Sequence, residues 1–117
     1  MPNLVSVKVS WDDSKISLAN RNAVQGLFRM GFDMASQARR NAPYLTGALR
    51  STIRVQPTTD NEVEVIAGGN YSGKVVNYAW IREQGPNRNP ATEHYMENAQ
   101  KQIMSGDYLK KYFGDIL

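Results

Sequence analysis

The chain has 117 residues and a formal net charge of +3, with 41% hydrophobic and 21% charged residues. This length and composition predict a single domain, residues 1–117, and exclude wholesale disorder. The sequence has no cysteine, which excludes disulfides and thiolate metal sites. The sequence also shows no signal-peptide pattern and no apolar run near the ~20 residues of a membrane span. We therefore expect a protein that is made and kept in a cytoplasm or is part of something assembled there.

The charges are distributed unevenly along the chain. Residues 1–58 carry eight Lys/Arg and three Asp/Glu (+5), and residues 59–117 carry six and eight (−2), which together give +3. This asymmetry is compatible with a nucleic-acid face on the N-terminal half. It is equally compatible with a subunit that meets its neighbour basic side to acidic side, or with solvated faces that have no partner.

The first half of the chain contains a strand pattern followed by a long helical pattern. Polar and apolar residues alternate from Leu4 to Trp11, which is typical of a half-buried strand. From roughly Ile16 to Asn41, apolar residues recur at spacings of three and four and predict a long amphipathic helix. Gly26 and Gly31 lie within this pattern, and each costs roughly 1 kcal/mol of helix stability relative to alanine. They indicate either a break in the helix or a position where the helix packs closely against a neighbour.

Residues 42–53 mark the change from helix to strand. Pro43 lacks a backbone N–H and disfavours helical dihedrals at the residue before it, so the helix should end near Asn41. Thr46 and Gly47 predict a turn, in which glycine tolerates positive φ. From Leu49 onward the apolar period becomes two, which predicts a strand that runs to Val55.

The residues that follow predict two more strands separated by loops. We expect a turn over 56–61, a strand over 62–67 and a flexible glycine-rich loop over 68–73. A further strand is expected over 75–83, and connections this short favour antiparallel pairing.

The last part of the chain predicts a loop and a closing helix. After an exposed loop over 84–89, Asn89 should cap a helix that has Pro90 in its first position and ends at Ser105-Gly106. A short last turn is expected over 107–113, and 114–117 should fray. The fold class is therefore α+β, an antiparallel sheet of about four strands with one long helix and a shorter C-terminal helix packed on one face.

Two segments have a superficial resemblance to chemical sites. Residues 68–74 have the spacing Gly, four residues, Gly, Lys of a phosphate-binding loop, but Val75 replaces the required Ser or Thr and a strand is expected to follow. His94 is the only histidine and has Glu93 and Glu97 as neighbours, yet no nucleophile or second ligand is placed with it. We therefore expect a glycine-rich hairpin in the first case and a surface or packing histidine in the second.

Arginines around residues 39–54 form the remaining candidate site. Arg50 and Arg54 should lie on the polar face of one strand, just after Arg39 and Arg40, but Tyr44 is the only aromatic residue nearby. The alternative to nucleic-acid binding is that Arg50 pairs with an acidic residue such as Glu83 on another strand. We favour the structural pairing.

Two short motifs resemble those of a known family. The first motif, Ala42-Pro43, Thr46-Gly47, Leu49-Arg50 and Ile53, and the second motif, Tyr78-Ala79, Glu83 and Gly85, resemble the minor tail-component (tail-completion) family of long-tailed bacteriophages. A looser third element consists of Pro90, Tyr95-Met96 and Ala99, although Asn98 stands where that family usually has proline. The resemblance spans residues 42–99, about two-thirds of the chain.

The resemblance implies a structural virion protein at the head–tail junction, with no catalysis and no cofactor. The implied partners are other copies of the chain in a ring of about six subunits, phage neck or connector proteins, and tail-tube or tail-terminator proteins. DNA would be contacted only as a channel lining, and no membrane is involved. The protein would be assembled in the bacterial host cytoplasm and would end up in the virion.

The residues of the resemblance divide into an architectural set and a contact set. The architectural set is Pro43, Thr46, Gly47, Leu49, Arg50, Ile53, Tyr78, Ala79, Glu83 and Gly85. The possible ring-contact loops are Gly68, Gly69, Asn70, Tyr71, Ser72 and Gly73, and Gln84, Pro86, Asn87, Arg88 and Asn89. The alternative function is a small basic nucleic-acid-binding domain, and an enzyme is the least supported because the sequence shows no nucleophile–base pair.

Overall fold

The protein is an antiparallel sheet covered on one side by helices. The computed structural model describes residues 4–10, 21–43, 47–59, 62–71, 73–106 and 108–113. The strands are β1 (Leu4–Ser10), β2 (Arg54–Thr59), β3 (Glu62–Tyr71) and β4 (Lys74–Val76). Strand β3 is central and pairs antiparallel with β1 on one side, with β2 on the other, and with β4 through a hairpin at its end. The predicted α+β class is thus confirmed.

The alternation along β1 determines which face of the sheet is buried. Val7 lies opposite Val65, and Val65 lies opposite Val55, so the three valines share one face across β1, β3 and β2. On the other face Lys8 lies opposite Glu64, and its ammonium group is 3.8 Å from Glu62 Oε1. A sheet with one apolar and one charged face buries only one side, which is where the helices pack.

The long helix α1 (Arg21–Asn41) covers the apolar face. Leu27, Met30, Met34 and Ala38 are buried, as the three-and-four spacing predicted, whereas the predicted start at residues 16–20 lies outside the described residues. A Cβ on Gly31 would lie 3.1 Å from both Val55 Cγ1 and Val63 Cγ2. Gly31 therefore allows the helix backbone to approach β2 and β3 closely.

The strand predicted from Leu49 begins later than expected. Residues 48–52 form a short helix, α2 (Ala48–Thr52), and β2 starts only at Arg54. Leu49 and Thr52 are buried together because they are three residues apart on one helical side. Over five residues the apolar spacing fits a helix as well as a strand, and the prediction chose the wrong period. Gly47 adopts φ 83° as the turn requires.

Three further boundaries differ from the prediction. Strand β2 continues to Thr59, so the predicted start of the turn over 56–61 is too early. Strand β3 continues to Tyr71 and includes most of the segment that was predicted as a flexible loop. The strand predicted over 75–83 is only the short β4, followed by helix α3 (Ala79–Gln84). The correct helical signal is the spacing of four between Ala79 and Glu83, which are both buried.

The C-terminal elements follow the prediction more closely. The Asn89 side chain accepts a hydrogen bond from Ala91 N, with Pro90 next in the chain, and caps a 3-10 turn (Pro90–Thr92) that leads to helix α4 (Tyr95–Ile103). The last helix, α5 (Tyr108–Phe113), is tied to α1 by a 2.6 Å hydrogen bond from the Tyr112 hydroxyl to Asp33 Oδ2. Residues 114–117, predicted to fray, lie outside the described residues. Within the described part of the chain, no helix has the length and apolar character needed to cross a membrane.

Candidate functional site

Glu83, from the second motif, holds the start of helix α4. It is 5% exposed, and its Oε1 accepts a 2.9 Å hydrogen bond from Met96 N while Oε2 accepts a 3.3 Å bond from Glu97 N. The Glu83 main-chain carbonyl also accepts a 2.7 Å bond from His94 N. These amides belong to the N-cap and the first turn of α4. Backbone N–H groups at the start of a helix have no acceptor within the helix itself. A carboxylate at this position also complements the positive end of the helix dipole.

The same motif supplies an anchor for Tyr95. The Tyr95 hydroxyl donates a 2.9 Å hydrogen bond to the carbonyl of Ala79, and both residues are fully buried. Burial raises the pKa of the Tyr95 hydroxyl well above its ordinary value, with the Glu83 carboxylate and then Tyr78 adding to the rise. The phenol therefore remains a neutral donor. The looser third element of the resemblance thus contacts the second motif directly.

Gly85 allows the chain to turn between α3 and α4. Its φ of 80° and ψ of −172° lie in a region that is essentially restricted to glycine. A Cβ at this position would lie 2.7 Å from Glu93 Cδ. The Glu93 carboxylate is held close because its Oε2 accepts a 2.9 Å hydrogen bond from Asn87 N. Glycine is therefore required by backbone geometry and by contact.

The residues of the first motif surround the end of α1. Ala42, Leu49 and Ile53 are buried in the core, and Arg50 donates a 2.9 Å hydrogen bond to the Ala42 carbonyl. Pro43 lies two residues after the last residue of α1, and Thr46 lies outside the described residues. Arg50 and Glu83, which the sequence suggested as an ion pair, thus each have a structural partner other than one another.

The two predicted contact loops have different characters. Gly68, Gly69, Asn70 and Tyr71 belong to β3, with Gly68 buried, so this segment is a hairpin and not a flexible loop; Ser72 lies outside the described residues. Asn70, Tyr71 and Gly73 at its tip are exposed and remain available for contact. In the second loop Gln84, Pro86, Arg88 and Asn89 are exposed, whereas Asn87 is buried.

Other candidate groups serve the fold. Arg39 donates a 2.6 Å hydrogen bond to the Ile53 carbonyl, and Arg54 donates to the carbonyls of Thr52 and Gly68 while lying over the Tyr71 ring. The glycine-rich segment over 68–74 leads into β4, so no helix N-terminus follows it to bind a phosphate.

One group of described residues has the composition of a metal site. Ligand atoms of Glu83, His94 and Glu97 lie within 4.8 Å of one another, and His94 Nδ1 is 3.5 Å from Glu97 Oε2. The Glu83 oxygens, however, already accept the Met96 and Glu97 amides. These bonds give the Glu83 carboxylate a structural role at the start of α4, and we assign this group to the structure of the helix terminus.

The residue pattern did not predict the hydrogen-bonding roles of Asn41, Asn87 and Glu93. Asn41 Nδ2 donates to Tyr95 O at 3.3 Å and to Gln102 Oε1 at 2.8 Å, which joins the ends of α1 and α4. Asn87 and Glu93 close the loop after α3. Asn89 and Glu93 lie close to the predicted helix start at Pro90. Their place beside a helix start was the only feature of the sequence that pointed to hydrogen bonding in this loop.

Comparison with known proteins gives no relative: no protein-family model, no curated protein and no solved structure matches the chain.

Proposed function

We propose that this protein is a non-enzymatic structural subunit of a long-tailed bacteriophage or prophage virion, forming a ring at the head–tail junction. The proposal rests on the resemblance of the two motifs together with one structural observation. Residues of the second motif form hydrogen bonds with residues of the third element on α4: Ala79 O accepts from the Tyr95 hydroxyl, and Glu83 Oε1 accepts from Met96 N. Motif residues with this role are expected in an assembly subunit, where the shape of the protein is its activity.

The exposed apolar side chains support an assembly role. Val75 is 74% exposed, Phe32 is 58% exposed and Tyr71 is 43% exposed, so these apolar side chains are available for contact with a neighbouring subunit. Phe32 lies on α1, whereas Tyr71 and Val75 lie on the β3–β4 hairpin. Two separate apolar positions suit a ring, because each subunit of a ring presents one surface to one neighbour and another surface to the next.

The test is the absolute mass of the purified protein by light scattering across concentration, with negative-stain images of the largest species. We expect a closed ring of about six subunits. Val75→Glu and Phe32→Glu should reduce the species to a folded monomer because each places a charge in a subunit contact. Gln25→Glu, an exposed polar position on α1, is the matched control and should leave the ring intact.

The two contact loops are tested in an assembly reaction with phage necks and tails. Alanine replacement of the exposed pair Asn70 and Tyr71, or of the exposed pair Gln84 and Arg88, should reduce head–tail joining while leaving the subunit folded. A loop whose replacement leaves joining intact has no part in the ring-to-ring contact. A folded protein that remains monomeric at every concentration and neither binds necks nor tails would contradict the proposed function.

A further inference from the structure

A pocket lined in part by arginines lies between the end of α1 and the loop that follows α3. Its volume is about 420 Å³, within the ~300–1,000 Å³ range of small-molecule pockets. The lining residues include no acidic residue and four arginines, which are Arg40, Arg50, Arg82 and Arg88. We propose that this pocket binds a small oxyanion that carries two or more negative charges. The proposal stands on the pocket itself and does not depend on a phage origin.

Three of these arginines have no carboxylate of the protein to neutralise them. Arg40 and Arg88 are exposed and Arg82 is half-buried. None of the three forms an ion pair with an acidic residue in the described part of the chain. Arg40 donates to Gln37 Oε1 at 2.7 Å, which uses only part of its set of N–H donors. A concave site lined by one sign of charge concentrates ions of the opposite sign, so this pocket should attract anions.

The donors of the pocket suit an anion with several oxygens. A guanidinium group binds a carboxylate or a phosphate through two parallel hydrogen bonds and has no acceptor of its own. Asn89 also lines the pocket, and because its Oδ1 accepts the Ala91 N–H, its Nδ2 is a further donor. An anion with a single charge would leave most of the positive charge unneutralised. The lining therefore favours a multivalent oxyanion over a simple one.

Contacts within the protein already hold the walls of the pocket in place. Arg50 donates a 2.9 Å hydrogen bond to the Ala42 carbonyl, and Asn87 Nδ2 donates to Arg82 O at 2.9 Å and to Thr92 Oγ1 at 3.1 Å. A preorganised site loses less conformational entropy when a ligand binds. Phosphate compounds and polycarboxylates share the oxyanion chemistry that this site recognises, and the experiment below distinguishes between them.

The test is isothermal titration calorimetry with inorganic pyrophosphate, citrate and acetate, in a low-salt buffer that contains no other oxyanion. We expect at least one of the two multivalent anions, pyrophosphate or citrate, to bind at one site per chain. Acetate, which carries one charge, should bind at least ~tenfold more weakly. Binding of pyrophosphate alone would identify the ligand as a phosphate compound, and binding of citrate alone would identify it as a polycarboxylate. Either result supports the proposal.

Two double variants locate the bound anion. Arg40→Gln/Arg88→Gln should weaken binding of the multivalent anion at least ~tenfold because charge-assisted hydrogen bonds are lost. Both arginines are exposed, so this variant should remain folded. Lys101→Gln/Lys111→Gln removes the same charge from residues that do not line the pocket, and it should change the Kd less than about twofold.

Several outcomes would overturn the proposal. One is the absence of saturable binding by both multivalent anions, and another is equal weakening by the arginine and lysine variants, since net charge alone would then attract the anion. Binding of a short DNA duplex through Arg40 and Arg88, without binding of either small anion, would make the pocket part of a nucleic-acid surface. Loss of self-association in the arginine variant, again without anion binding by the wild type, would make the occupant a second copy.

The mass of the arginine variant separates this proposal from the proposed function. A variant that loses the anion but keeps the ring mass would support the pocket as a site of its own. Anion binding by a wild-type protein that forms no ring would support the pocket and contradict the ring.

Discussion

Glu83 Oε1 lies 2.9 Å from Met96 N and accepts its hydrogen bond in the interior of the protein. Replacing the carboxylate by a methyl group leaves the Met96 and Glu97 amides without a partner. Because a charged acceptor and a helix cap are lost together, we expect Glu83→Ala to lower the free energy of unfolding by about 3 kcal/mol. Glu83→Gln keeps one acceptor oxygen and should cost about half as much. Urea denaturation measures both.

The matched control for the cap is Glu97→Gln, because Glu97 is exposed and lies in the same helical turn. Its ion pair with Lys101 is worth ~0.3–0.5 kcal/mol. A Glu83→Gln variant that is no less stable than Glu97→Gln would contradict the capping role.

Gly85 and Gly73 form a second matched pair. Both have positive φ, at 80° and 79°, but a Cβ on Gly85 would lie 2.7 Å from Glu93 Cδ, whereas nothing lies within 4 Å of a Cβ on Gly73. We expect Gly73→Ala to cost about 1 kcal/mol from backbone strain alone. Gly85→Ala should cost about 3 kcal/mol because the chain is in a glycine-only region and Glu93 must move away from Asn87. Similar losses in thermal or urea unfolding would show that the Glu93 contact adds nothing.

Glycine at position 31 should give a more stable protein than alanine would, although glycine has the lower helix propensity. Alanine gains about 1 kcal/mol of helix propensity, but its Cβ would press on Val55 and Val63 at 3.1 Å. Both valines are β-branched and held in the sheet, so we expect Gly31→Ala to lower the free energy of unfolding by about 1 kcal/mol net. The loss should become smaller in a Val55→Ala background, which a double-mutant cycle in urea measures. An additive cycle would mean that the contact with Val55 carries no strain.

Tyr95 should make the protein sensitive to high pH. Its pKa is raised in the folded state above the ordinary value of 10.0, so the unfolded chain loses the hydroxyl proton first. Stability from this group is therefore complete below pH 10 and falls as the pH rises above 10, by up to about 1.4 kcal/mol per pH unit. Tyr95→Phe should cost about 1 kcal/mol at pH 7 through the lost bond to Ala79.

The same variant should show a shallower loss of stability above pH 10 than the wild type. Urea unfolding at pH 7, 9, 10.5 and 11 makes the comparison, and the difference between the two proteins should be constant from pH 7 to 9. A parallel decline of the two proteins above pH 10 would mean that Tyr95 ionises in the folded state as it does in the unfolded chain.

The long, strongly periodic segments were predictable from the sequence. The alternation around Val7 and the three-and-four spacing through Met30 and Met34 each extend over enough residues to identify one period. Local chemistry also identified the positive φ of Gly47 and the cap at Asn89, because these depend on one or two residues and their own backbone. These features were sufficient for the fold class.

Short segments were decided by tertiary contacts. Residues 49–53 and 75–83 contain apolar residues whose spacing suits either a helix or a strand, and only their packing against β3 and α4 selects the helices α2 and α3. The roles of Glu83 and Tyr95 were also beyond the residue pattern, since each binds a backbone group that lies 13 or more residues away along the chain. The roles of Gly85 and Asn87 depend on where the folded loop places the Glu93 side chain. A pocket lined in part by arginines has the same origin: its arginines come from four segments, and only the fold brings Arg40 and Arg50 to Arg82 and Arg88. Local propensity thus determined the class of the fold, whereas long-range packing determined its sites.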